Sequence, residues 1–183
     1  MLFVFAQAIS SNSTKNTEGQ DYTVIKKYSD FEIRQYSPAL FSYTVMKADT
    51  YKKVSGKGFR KLAGYIFGGN DKKQSIAMTT PVAMDISDSI TMKFKIPKGL
   101  RIEDLPTPND SDVKFKAEPA KKMAAIAFSG WATDDKIEKY TLKLKLLLKK
   151  KNLTYKGNFI YLGYNPPYEV TNRRNEIVVE IAE

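Results

Sequence analysis

The chain has 183 residues, 42% of them apolar, which suffices for one domain with a hydrophobic core and argues against disorder along its whole length. Its formal charge of +10 is carried by lysines spread along the chain, so a solvated basic surface stands beside nucleic acid, an anionic membrane surface or an anionic small ligand as its meaning. No cysteine and no histidine occurs, which excludes disulfides, thiolate chemistry, His/Cys zinc sites and every catalytic triad that needs an imidazole.

Leu2–Ala8 reads LFVFAQA, an apolar run that ends in an A-x-A pattern of the kind a signal peptidase cuts after. It is too short to span a bilayer and lacks the positively charged start of an export signal. Residues 1–8 read as a truncated signal, which puts the mature protein in the periplasm or outside the cell, or as a chance apolar start, which puts it in the cytoplasm. Residues 9–21 form a polar linker, and the folded part, residues 22–183, begins at Tyr22 as a single domain.

Two copies of one pattern follow. In the first, about residues 22–99, Thr23–Tyr36 alternates like a strand, notably Phe31, Ile33 and Gln35 against Glu32 and Arg34. Pro38 breaks it and Ala39–Met46 is the next strand. Asp49 or Thr50 caps a helix to about Phe67, and Gly68-Gly69-Asn70-Asp71 stops it. Strands Ser75–Asp85 and Ile90–Ile96 complete the copy. The second, residues 113–183, has strands Val113–Ala117 and Met123–Phe128, a helix from Thr133 or Asp134 to about Lys151, and strands Asn158–Tyr164 and Glu176–Ile181. Two ββαββ units in tandem imply one pseudo-twofold α+β domain, with Leu100–Asp112 as connector and neither half able to bury its sheet alone.

The first helix is the informative element. At 100° per residue, Tyr51, Val54, Gly58, Leu62, Tyr65 and Ile66 form one apolar stripe. Gly58 lies in its middle, where a glycine costs about 1 kcal/mol against alanine but lets another surface approach the backbone. That surface is a strand or a planar ligand. Lys53, Lys57 and Lys61 lie four apart on the flank, where like charges repel by about 0.2–0.5 kcal/mol per pair. They mark a hydrated face or a bound anion. On the second helix Ile137, Tyr140, Thr141, Leu144, Leu147 and Leu148 read as core. Leu142 and Leu146 point away from it, to a cleft, a subunit contact or plain solvent. Met78 and Met84 read as plastic core filler or as ligand contacts.

Met78-Thr79-Thr80-Pro81-Val82 resembles the M-T-x-P-V motif of the SOUL/haem-binding-protein family. The other landmarks stand in family order: Gly68-Gly69-Asn70-Asp71, Leu105-Pro106-Thr107-Pro108, Gly163-Tyr164-Asn165-Pro166-Pro167 and Arg173-Arg174-Asn175-Glu176-Ile177. The resemblance runs from Tyr22 to the C-terminus. It implies a distorted β-barrel of two ββαββ halves with both helices outside, a fold shared with effector-binding domains of bacterial regulators. It also implies reversible, non-enzymatic binding of haem or another porphyrin in an apolar cleft beside helix 50–67. The candidate haem-binding residues are Tyr51, Val54, Lys57, Gly58, Lys61, Leu62, Tyr65, Met78 and Met84, with the lysines on the propionates and no strong axial ligand for the iron. The alternatives are a sensor for a different apolar ligand, a nucleic-acid binder resting on charge alone, and an enzyme using Glu and Tyr. Neither of the last two has a motif, and the expected partner is a small tetrapyrrole, without nucleic acid or an integral membrane segment.

Overall fold

A computed structural model describes residues 17–47, 50–87, 89–166, 169 and 171–182; the segment 1–8 lies outside the described residues. In chain order the elements are β1 Tyr22–Lys27, β2 Glu32–Tyr36, β3 Ala39–Met46, α1 Tyr51–Ile66, β4 Val82–Ile86, β5 Ile90–Lys95, β6 Lys114–Glu118, β7 Lys121–Ser129, α2 Asp134–Lys150, β8 Tyr155–Gly163 and β9 Arg174–Ile181. The strands form one antiparallel sheet in the order β1-β2-β7-β9-β8-β4-β5-β3-β6. It curls into a half-barrel whose edges, β1 and β6, stay apart, so the α+β distorted barrel is open.

The halves interlock. β2 pairs with β7, β6 pairs with β3, and β4 and β8 join the halves at the middle. Setting β1 aside and exchanging β2 with β6, β3 with β7, β4 with β8 and β5 with β9 leaves the strand order unchanged when read from the other end. Each half thus receives a strand from the other.

Three local features differ from the sequence expectation. Thr23–Tyr36 is a hairpin rather than one strand, because Ser29-Asp30 supplies turn chemistry and Tyr28 N donates to Phe31 O at 2.9 Å. Ser75–Asp85 contributes strand only from Val82, since Pro81, which follows a cis peptide bond, has no N–H for the ladder. Thr79 there donates its hydroxyl to Lys95 O at 2.6 Å instead. Thr50 is the N-cap of α1 but makes no side-chain cap; the Tyr51 N–H donates to Asp134 Oδ1 of α2 at 2.6 Å. The two helix starts are therefore tied together.

The other helix ends follow the sequence. Gly68 adopts φ +102°, a conformation side chains resist, and Gly69 N closes the turn on Gly64 O at 2.8 Å. Thr133 Oγ1 accepts from Lys136 N at 3.3 Å, while Asp134 and Asp135 open α2 and Lys149 and Lys150 end it, matching the helix dipole. Both helices cover one face of the sheet, over a core that includes Leu62, Ile66, Met84, Met92, Leu144, Leu148 and Ile177. A smaller cluster, Tyr36, Ala83, Met123, Ala125, Leu162 and Val178, lines the other face.

Candidate ligand site on the first helix

The apolar stripe of α1 packs on β3 and β5. Val54, Gly58, Leu62, Tyr65 and Ile66 are buried, Leu62 completely. A Cβ on Gly58 would lie 2.5 Å from Met46 Cε and 3.2 Å from Met92 Cε, so the surface that comes close to this glycine is a pair of strands. Tyr65 donates its hydroxyl to Pro106 O at 3.1 Å beneath the connector. Burial, with the charge of Asp71 adding to it, pushes that phenol up to about 12. Tyr51 is half-buried, edge-on to Tyr161 at 5.3 Å, and burial raises its pKa as well. Met84 is 1% exposed in the core, and Met78 is half-buried against it. Beside this face of the helix the sheet packs closely, and Val54, Gly58, Leu62 and Met84 are buried in the core.

What the helix offers outward is cationic and open. Its sixteen residues include Lys52, Lys53, Lys57, Arg60 and Lys61 and no acid. Gly56 and Gly64 stand among them with nothing within 4 Å of where a Cβ would be. A groove of about 340 Å³ runs between this face and the connector, lined by Lys57, Arg60, Lys61, Gly64, Tyr65 and Asp110 among others. The connector is fixed there by Asn109 N to Gly69 O at 3.0 Å and Thr107 N to Asp71 Oδ1 at 2.8 Å. Lys61 pairs with Asp110 at 3.3 Å and with Asp112. Lys57 and Arg60 are exposed, and among the described residues neither forms an ion pair. Of the predicted set, Lys57, Lys61 and Tyr65 come together here. Arg60 was missed, although its place one turn beyond Lys57 was legible.

The motif Arg173-Arg174-Asn175-Glu176-Ile177 turns out to carry a network. Glu176 has no exposure. Its carboxylate accepts from Arg34 Nη1 at 2.8 Å and Nη2 at 3.1 Å, from Arg174 Nη2 at 2.6 Å, and from the Tyr164 hydroxyl at 2.8 Å. Burial alone would push the carboxyl up, but the hydrogen bonds and charges of the two arginines outweigh it and hold it below its ordinary value. Asn175 accepts from the Tyr161 hydroxyl at 2.8 Å and donates to Gly130 O at 2.8 Å. Arg173 lies over the Trp131 ring at 4.1 Å. These groups are engaged with one another, which suits tying β2, β8 and β9 together and leaves no free base. Among the described residues no group of three or more Asp or Glu is placed to hold a metal ion, and no helix is long and apolar enough to cross a membrane.

Heme-binding protein 2 of Mus musculus is 28% identical over 180 residues, covering 93% of this chain and 85% of its own. Heme-binding protein 2 of Homo sapiens is 30% identical over 156 residues, covering 80% and 76%. Among solved structures, the EcmrR C-terminal domain superposes with a TM-score of 0.66 over 84% of this chain and 97% of its own at 7% identity, a likeness of fold alone. A hydrolase from Listeria innocua does so at 0.60 and 10% identity, over 86% and 94%. The family described as SOUL heme-binding protein matches residues 17–180, and the chain belongs to that family.

Proposed function

We propose that this protein binds haem or a related tetrapyrrole reversibly on the outer face of α1, without chemistry on it. The observation that carries the reading is the groove of about 340 Å³ lined by Lys57, Arg60, Lys61 and the open Gly64, with Asp110 as its one acid, on a helix that has none of its own. A flat ring lies closest to a helix backbone where side chains are missing, and its propionates fall to Lys57 and Arg60, which form no ion pair among the described residues. Lys61 is held to Asp110 and Asp112 and forms the rim. The named relatives, called heme-binding proteins, support the same ligand.

Reversing Lys57 and Arg60 to Glu together weakens haemin binding about tenfold, since partly exposed ion pairs contribute about 0.2–1 kcal/mol each and attraction is replaced by repulsion. A Soret titration of the folded double variant reads this. Unchanged affinity would place the propionates elsewhere. No Soret shift with the native protein, together with binding of a different apolar compound, would favour the sensor reading.

The side chains fit the acid groups of haem better than its iron. There is no His or Cys. Burial pushes the phenol of Tyr65, the tyrosine that lines the groove, up to about 12, which disfavours the tyrosinate an iron would need. Burying about 300 Å² of apolar ligand surface contributes about 7 kcal/mol before association costs, which suits a reversible ligand. Metal-free protoporphyrin therefore binds within about threefold of haemin in a fluorescence-quenching titration. Loss of binding on removing the iron would overturn this account.

A further inference from the structure

The lysines and leucines of α2 are not used by the haem reading. Ile137, Leu144 and Leu148 face the sheet. On the opposite side Leu142 and Leu146, four residues apart and so on one face, are 51% and 67% exposed. Tyr155, 40% exposed at the start of β8, extends the apolar patch. An open trough of about 630 Å³ joins Leu146, Leu153 and Tyr155 with Lys145 and Lys149.

Charge surrounds this patch. From Lys139 to Lys151 the chain carries lysines at 139, 143, 145, 149, 150 and 151 and no acid; Asp135 lies in the first turn of the helix, and Glu138, exposed one turn before Leu142, is the acid at the edge of the patch. Lys143 turns aside to Asp30 at 2.7 Å and Lys145 leans over the Phe159 ring at 5.1 Å. Lys139, Lys149 and Lys150 are exposed one turn to either side of the leucines. Nucleic acid would meet the lysines but gain nothing from the leucines. A second copy would bury the leucines but bring two lysine rings together. A bilayer with anionic headgroups matches both features, with negative charge at the surface and an apolar layer just beneath it.

We propose that the outer face of α2 docks this protein on anionic lipid membranes. Leu142 and Leu146 enter the headgroup–acyl boundary, Tyr155 sits at the interface, and the lysines contact lipid phosphates and carboxylates. α2 stays packed on the sheet throughout, so docking needs no unfolding, and it is independent of haem binding.

Co-sedimentation of the full chain with vesicles tests this. Mixed phosphatidylserine–phosphatidylcholine vesicles bind the protein and pure phosphatidylcholine vesicles do not. Each lysine near such a surface strengthens binding about fivefold, so Lys149→Gln with Lys150→Gln weakens it about 25-fold. Leu142→Glu with Leu146→Glu weakens it at least about tenfold, through loss of apolar burial and added repulsion. All four positions are exposed, so unchanged thermal melting certifies the folds; should the leucine pair melt early, the lysine pair carries the test. The proposal is overturned by an absence of sedimentation with phosphatidylserine vesicles at low salt. It is overturned equally by a folded leucine-pair variant that sediments like the native chain, by preference for duplex DNA over the vesicles in competition, or by a dimer that the leucine substitutions dissolve.

Discussion

Replacing Glu176 with alanine lowers the stability of the fold by about 3–5 kcal/mol, because it removes the fully buried carboxylate that Arg34 and Arg174 share and leaves Arg34 only Glu32, at 2.9 Å and nearer the surface. Arg34 is 4% exposed, and its hydrogen bonds to Glu176 span 142 residues of chain, beyond its local ones to Glu32 and Tyr36. For a domain of this size the melting temperature falls by roughly 6–20 °C. Asp110→Ala, which removes one exposed partner of Lys61, shifts it by about 3 °C or less. Acid has a related effect. The Glu176 carboxyl titrates below its ordinary value of 4.5 in the folded protein. Its contribution is therefore present in full above about pH 4.5 and is lost as the pH falls through the folded value. A Glu176→Gln variant lacks that component, so its stability falls less steeply than that of the native protein between neutral pH and the acid limit. Equal slopes in calorimetry would show that the network does not govern acid unfolding.

Leu62→Ala has a comparable effect on stability and none on the ligand. The side chain is completely buried between α1 and the sheet, where removing three carbons leaves a cavity and costs about 2–5 kcal/mol. Denaturant unfolding measures the loss. Haemin affinity of the folded variant stays within about twofold of the native value, since Leu62 lies on the far side of the helix from Lys57 and Arg60. A large fall in affinity with the fold intact would return the ligand to the apolar side of α1.

Leu62 also illustrates what the sequence conveys. The stripes of α1 and α2 were legible because helical period reports which face is apolar: Val54, Leu62 and Ile66 are buried, and Leu142 and Leu146 are out in solvent, as their spacing requires. Period does not report what covers a face. The same stripe reads as core or as porphyrin contact, and the approach of Met46 and Met92 to Gly58 is a packing detail that no periodicity reports. The β1–β2 hairpin was missed because the alternation of Phe31 to Gln35 continues to its edge, while the Ser29-Asp30 turn leaves only two residues of signal. The Arg34–Glu176 pair was illegible, since nothing in local patterning links residues so far apart; the double arginine before an acid in a strand was its only trace. The cationic groove was half legible. Lys57 and Lys61 were in view, but Lys61's engagement with Asp110 and Asp112 depends on where the connector settles.

The position of β9 has a consequence for how the protein is made. This last strand in chain order lies between β7 and β8 in the interior of the sheet. While a ribosome is still delivering it, β7 and β8 each present an unpaired edge, and such edges recruit other chains. β2 cannot stabilise an early half either, because its partner β7 lies about ninety positions away. The topology thus places folding at the slow end, milliseconds to seconds, where distant pairings must close before local ones are rewarded. Yield in the cell then depends on how well the nascent chain is shielded until Arg174–Ile181 has emerged.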